Sequence, residues 1–361
     1  MTEPEQLPKL NSATVIIPTF DHGPLLRQSI ASVLSQTMTD FEILVIGDGA
    51  PESTREIIDE MAVQDSRIRG VWHPKGERLG ELYRNEVIES SPHDFVCYLS
   101  DDDLWSPDHL LEMSEVLRHT DVAHTNHLFL TADEQTHVVA VDLGDPEYRR
   151  AHLDGSSFVC LSAIGHTLAA VQKGLRWNLT PTDRYTDWYF LTGAMELGLS
   201  FGATNSTTML NIASSFRKGW TLTQRYEELE RWRTTVEGPQ WPHVVEVTTL
   251  RAVRAERRPQ PIVPSGTDDG TPNAEPVAEP VAEEPRSPVV VVEPEPVPEE
   301  TTEMTETTEM AEITEVMADY NAQIAELKAQ LARLGSSRTV RTLRYVSRYR
   351  LIRIAARWTH R

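Results

Sequence analysis

"ATVIIPTFDHGPLLRQSIASVLSQTMTDFEILVIGDG", residues 13–49, holds two apolar, β-branched runs separated by a helix-length stretch. The first run is closed by Pro18, the pattern of a buried strand whose C-terminal end opens into a loop. Leu26, Ile30, Val33 and Leu34 then recur at helical spacing, with Pro24 near the start. The second run ends on Gly47, Asp48 and Gly49. Working outward, "PESTREIIDEMAVQ" (51–64) reads as a helix starting at Glu52 or Ser53, "IRGVWHP" (68–74) as a strand, "LGELYRNEVIESS" (79–91) as a helix and "DFVCYLS" (94–100) as a fourth strand. Such alternation predicts an α/β domain with a mostly parallel sheet and helices on both faces. Sheets of that kind bind ligands beyond the carboxyl ends of their strands.

The fourth strand delivers Asp101, Asp102 and Asp103 to that edge, within "FVCYLSDDDLW" (95–105). Three adjacent carboxylates repel one another and persist where water, a cation or cationic side chains lie against them. From about 108 to 235 the pattern is mixed: a helix through Leu110–Leu117, strand-like stretches at 122–130 and 136–142, "GHTLAAVQ" (165–172), and a helix around 183–197. This predicts an α+β second half completing one domain over 12–240, after a flexible leader at 1–11.

Residues 13–58, with "LYRN" (82–85) and "CYLSDDDLWSPDHLL" (97–111), resemble the nucleotide-sugar-binding half of the family 2 inverting glycosyltransferases. The resemblance runs in order and spacing through about 12–120, is looser over 150–220 and is absent beyond 240. It implies the GT-A fold, Rossmann-like, and transfer of a sugar from a nucleoside-diphosphate donor, UDP-linked, to a glycan or lipid-linked hydroxyl acceptor in envelope or extracellular polysaccharide synthesis. It implies Asp102 as ligand of Mn²⁺ or Mg²⁺, Asp101 near the ribose or the metal's waters, and Asp48 as acceptor from the ring N–H of the base. Pro18, Thr19, Phe20 and Asp21 would line the nucleoside, Phe20 by stacking, and Arg84 would pair with the diphosphate. A divalent cation suits a diphosphate leaving group because it neutralises the charge that develops on it. Gly47 and Ser100 stand where the family has acids. They leave room for a catalytically inactive nucleotide-sugar-binding scaffold as the alternative.

An inverting transfer also needs a base for the acceptor proton. "PTDRYTDWYFLTGAMELG" (181–198) offers Asp183, after a helix-start signal, and Asp187, four residues on and on the same face. Spacing leaves the choice open, with Asp183 favoured slightly by its N-terminal position. His166 reads more readily as structural than as a pocket residue, and Arg217 and Lys218 as either a phosphate-closing loop or a solvated one.

The net charge of −21 over 361 residues is unevenly spread. Acid concentrates in 265–316, whereas 336–361 is rich in arginine and free of acid. The Pro/Glu-rich stretch 257–311, with its near-repeat "AEPVAEPVAEE", predicts a disordered, self-repelling linker. Ile313, Met317, Tyr320, Ile324, Leu327, Leu331 and Leu334 form a heptad seam, predicting a short coiled coil over 312–335 and self-association. In 336–361, arginines interleave with Val340, Leu343, Val346, Leu351, Ile354 and Trp358, as in a basic amphipathic tail against an anionic membrane surface. No nucleic-acid partner is expected. Two cysteines far apart in apolar surroundings fit buried thiols in a reducing compartment. With no signal-peptide core and no apolar run long enough to span a bilayer, the expected location is the cytoplasm, at the inner face of the membrane.

Overall fold

The computed structural model describes residues 9–157 and 159–256. The expected linker (257–311), coiled coil (312–335) and basic tail (336–361) lie outside the described residues, as do residues 1–8 of the leader.

The first half alternates as its pattern requires: β1 (Ala13–Thr19), α1 (Gly23–Leu34), β2 (Phe41–Asp48), α2 (Glu52–Gln64), β3 (Ile68–His73), α3 (Tyr83–Ser90) and β4 (Phe95–Tyr98). β1 pairs in parallel with both β2 and β4, and β2 with β3. Strands covered on both faces read as continuous apolar runs, and Val15, Ile16, Ile17, Ile43, Val45, Phe95, Val96 and Cys97 are all fully buried. The register sets Thr19 beside Gly47, and Asp48 beside His73, so the polar strand ends finish level.

The second half comprises β5 (Leu104–Trp105), α4 (His109–Leu117), β6 (Val122–Leu130), β7 (Thr136–Val139), α5 (Pro146–Leu153), β8 (Ile164–Thr167), α6 (Leu168–Gln172), α7 (Thr186–Glu196), β9 (Phe201–Asn211), α8 (Leu222–Glu237) and α9 (Trp241–Glu256). Its strands extend the same sheet in the order β3-β2-β1-β4-β8-β6-β9-β5, with β7 on the end of β6. Here β8 runs antiparallel to β4 and β6, while β6 and β9 are parallel. The result is one mixed α/β sheet, parallel through the half that the βα alternation foretold and mainly antiparallel beyond β4. Cys97 and Cys160 are free and buried.

A second apolar cluster closes the far end, with Leu104, Leu128, Leu130 and Leu210 beneath Leu229, Val236 and Trp241. Trp241 is buried, and its indole N–H donates to the carbonyl of Thr207 at 3.0 Å. The packed body therefore runs through α9 rather than stopping at the expected 240. Gly238 and Pro239 look like a terminus in the sequence, but Trp241, Val244 and Val245 supply a fresh apolar face just after them.

Candidate functional site

The carboxyl ends of β1 and β4 carry the acid triplet into three different environments. Asp101 accepts from the Thr19 hydroxyl at 2.7 Å and lies 3.0 Å from His22 Nδ1. Asp102 accepts from Ser214 Oγ and from Arg225 Nη2, each at 2.7 Å. Asp103 is a buried joint. It takes hydrogen bonds from Ser162 Oγ (2.5 Å), the Ile212 amide (2.8 Å) and Asn211 Nδ2 (3.0 Å). Burial, then the charge of Asp102, pushes the Asp103 carboxyl up to about 7, and the same burial, with Asp101 adjacent, raises Asp102.

His22, Asp101 and Asp102 each present one donor atom, all within 4.8 Å of one another. The hydrogen bond to Asp101 raises the His22 pKa, against burial and the charge of Arg225. With Nδ1 turned to Asp101, Nε2 is left as the outward nitrogen, the arrangement of a ligating imidazole oriented by a carboxylate. Arg225 Nη1 rests 3.0 Å from that nitrogen. A positive group already sits where these carboxylates face, so the residues fit a cation. One imidazole with two carboxylates suits Mn²⁺ better than Mg²⁺, which favours oxygen alone.

On the nucleoside side, Asp48 is buried and already engaged. Its Oδ1 accepts from the Gly76 amide at 2.6 Å and its Oδ2 pairs with Lys75. The Lys75 ammonium lies 5.6 Å from the centroid of the Phe20 ring, which is 47% exposed. Gly80, at φ +61°, packs so closely that a Cβ there would lie 2.5 Å from Asp48 Cγ. Pro18 is half-buried and Thr19 buried, but Asp21 points to solvent. Gly47 differs in another way. A Cβ on it would meet the Trp72 ring at 2.2 Å, and by strand alternation position 47 faces away from Asp48.

Deeper in, Arg84 is buried with its guanidinium 4.1 Å from the Trp177 ring centroid, and its Nε and Nη1 have no hydrogen-bond partner. Burial lowers its pKa to about 10, while the charges of Glu81, Asp187 and Asp48 favour the cation. A buried guanidinium with unused donors is an anion-binding group. Trp177 is held by Tyr98, whose hydroxyl also lies 2.7 Å from His166 Nε2, so His166 is structural. Glu81 accepts from the Leu79 and Thr180 amides, tying loop 76–82 to the segment before α7.

Asp187 stands in the first turn of α7, 9% exposed, accepting from the amides of Leu161 (3.1 Å) and Trp188 (2.9 Å). Burial pushes its carboxyl up to about 6, a value suited to taking a proton near neutrality. Asp183, by contrast, has a side chain that is 74% exposed and pairs with neighbouring Arg184. Nor is Arg217 a loop cation for phosphate, because it is buried in a two-pronged pair with Glu228. Lys218 is exposed. Sequence reasoning missed His22, Lys75, Ser214 and Arg225. His22 adjoins the Pro18–Asp21 loop and could have been found there, but Arg225 lies more than a hundred residues from its partner and gives no local signal.

Residues 14–135 match the family model described as glycosyl transferase family 2. Over 102 residues the chain is 39% identical to the succinoglycan biosynthesis protein ExoW of Rhizobium meliloti (strain 1021), covering 27% of this chain and 31% of that protein. Over 97 residues it is 30% identical to the GalNAc(5)-diNAcBac-PP-undecaprenol beta-1,3-glucosyltransferase of Campylobacter jejuni, covering 27% of this chain and 30% of that one. The chain thus spans about a third of the length of these two relatives. Among solved structures, S. aureus TarS 1-349 in complex with UDP-GlcNAc is similar at 13% identity and a TM-score of 0.44, over 67% of this chain and 72% of that one. The stretch that matches the glycosyl transferase family 2 model, residues 14–135, is the one that carries Thr19, His22, Asp48, Arg84 and the Asp101–Asp103 turn.

Proposed function

We propose that the chain transfers a sugar from a nucleoside-diphosphate donor, UDP-linked, to a hydroxyl acceptor with inversion, in assembly of an envelope or extracellular polysaccharide. The observation that carries this reading is one constellation at the strand ends: a cation-suited trio (His22, Asp101, Asp102), a buried guanidinium with unused donors (Arg84) and a buried carboxylate of raised pKa (Asp187).

Asp102, Asp101 and His22 would hold the divalent ion, which supplies neutralisation of the charge left on the diphosphate. Phe20 offers a ring face to the base. Asp48, with Lys75, provides an acceptor and a donor pair for its edge. Arg84 offers two hydrogen bonds to an anionic oxygen. Asp187, ionised above about pH 6, takes the acceptor hydroxyl proton as that oxygen attacks the anomeric carbon and the diphosphate departs. The names of the relatives, one from succinoglycan biosynthesis and one acting on an undecaprenol-linked glycan, support a polysaccharide or lipid-linked acceptor. The basic sequence of 336–361 would suit such an acceptor at an anionic membrane surface, and the heptads of 312–335 would suit self-association. No helix among the described residues is long and apolar enough to cross a membrane.

The test is nucleotide release from UDP-, GDP- and dTDP-sugars by the full chain with Mn²⁺. Turnover is expected for one donor class, with loss of at least about a hundredfold in Asp102→Ala. Donor binding with no turnover across a broad acceptor panel would instead establish the scaffold reading.

A further inference from the structure

Arg225 has no counterpart among the residues assigned above. It projects from the first turn of α8, whose start is fixed by a reciprocal cap between Thr221 and Gln224. Its guanidinium reaches Asp102 Oδ2 at 2.7 Å through Nη2 and His22 Nε2 at 3.0 Å through Nη1, with Ser214 Oγ 3.2 Å from Nη2. Its Nε is buried with no hydrogen-bond partner. A neighbouring buried pair, Arg217 with Glu228, anchors α8 to the body, and the loop between them passes through Gly219 at φ +86°.

The chemistry is one of exclusion. Because His22 Nδ1 faces Asp101, Nε2 is the nitrogen left for a metal, and its lone pair is taken by Nη1. The Asp102 oxygen is likewise taken by Nη2. A guanidinium does not give up its charge, and a divalent ion needs the same atoms at about 2.0–2.2 Å. The two cations therefore cannot share these donors. A displaced Arg225 keeps its full charge and needs a new acceptor, and a diphosphate offers pairs of anionic oxygens that its planar fork can hold in bidentate fashion.

We infer that Arg225 is a donor-binding residue that occupies Asp102 and His22 before substrate arrives and passes to the diphosphate when a divalent ion takes its place. The inference rests on the function proposed above. Its consequence is reciprocal coupling: metal alone meets a resident competitor, whereas metal and nucleotide together give every charge a partner, so each tightens the other.

The experiment is Mn²⁺ binding to the full chain by calorimetry and by the paramagnetic resonance of free ion, with and without UDP. In the wild type, UDP should tighten Mn²⁺ by about tenfold or more. Arg225→Gln should bind Mn²⁺ alone about tenfold tighter than the wild type and lose most of the tightening by UDP. Arg225→Lys, which keeps one charge without the fork, should fall between and carries the same ordering if near-ultraviolet dichroism finds the glutamine variant misfolded. Equal Mn²⁺ affinity and equal coupling in all three chains would overturn the inference and leave Arg225 a structural residue. UDP binding that needs no metal and disappears in Arg225→Gln would also overturn it, making the arginine a substitute for the ion. Absence of Mn²⁺ binding from every chain under every condition would mark failure of the metal-dependent reading itself. Loss of binding only in Asp102→Ala would place the ion here.

Discussion

Asp183 and Asp187 differ in one respect that their spacing conceals, namely how much water each retains. Four residues apart in sequence, they were expected on one helical face, yet α7 begins only at Thr186, so Asp183 stays in the preceding turn beside Arg184 while a 3₁₀ turn at Leu161–Ala163 covers Asp187. Because burial raises the folded-state value of Asp187 from 3.8 to about 6, the ionised form is costly in the native protein, by an upper limit of about 3 kcal/mol. This cost is absent below about pH 4, accumulates between about pH 4 and pH 6 and is complete above that. Relative to the wild type, Asp187→Asn should therefore gain thermal stability between pH 4 and pH 7. Catalysis runs the other way. Wild-type kcat/KM should rise with pH through about 6 and then level, while Asp187→Asn should lose about 10²–10⁴-fold in transfer. A variant with wild-type turnover, or an unchanged stability difference across pH, would remove Asp187 from the role of base. At this scale the carboxylates on strand ends were legible from sequence, because β1, β2 and β4 announce where they end. His22, Lys75 and Arg225 were not, since what makes them part of the site is a neighbour brought from another element.

Loop 76–82 joins β3 to α3 and holds Asp48 from below. Its Gly80 combines a positive φ with a Cβ position that collides with the Asp48 carboxylate, whereas Gly155 has a similar φ (+75°) and open space around it. The pair makes a controlled comparison. Gly155→Ala should cost only the left-handed backbone strain, about 1 kcal/mol. Gly80→Ala should cost about 2–4 kcal/mol by chemical denaturation and weaken UDP binding as Asp48 shifts; equal effects at both sites would refute the close approach. The βα units of the first half were readable because each buries a continuous apolar strand against an amphipathic helix. β9 and α8 were not. β9 is threaded with threonines whose hydroxyls bond across to β6, with Thr204 Oγ1 donating to Thr125 at 2.9 Å, so it lacks an apolar run. α8 buries Arg225 and Glu228 along with Leu229 and Val236, and its face is too charged to stand out.

Over the whole molecule, the position of α9 makes a sharp difference between two truncations that both remove the C-terminal 105 residues or more. A chain ending at 256 keeps Trp241, Val244 and Val245 and serves as the reference. One ending at 240 loses Trp241, Val244 and Val245 from the second apolar cluster and should lose about 3–5 kcal/mol or more, seen as a lower melting temperature. Equal melting of the two would mean that α9 contributes nothing to the body. The order β4-β8-β6-β9-β5 has a wider consequence. Strands from before and after residue 135 alternate across it, so beyond the contiguous block β3-β2-β1-β4 no two strands of the family-matched segment are neighbours. Chimeras that splice this segment onto a relative's C-terminal portion would ask β4 and β6 to zip with foreign strands while exchanging Asp102's arginine and Asp103's clasp in the same cut. Recombination at that seam is thereby penalised, and drift in the later half must remain compatible with strands it did not encode.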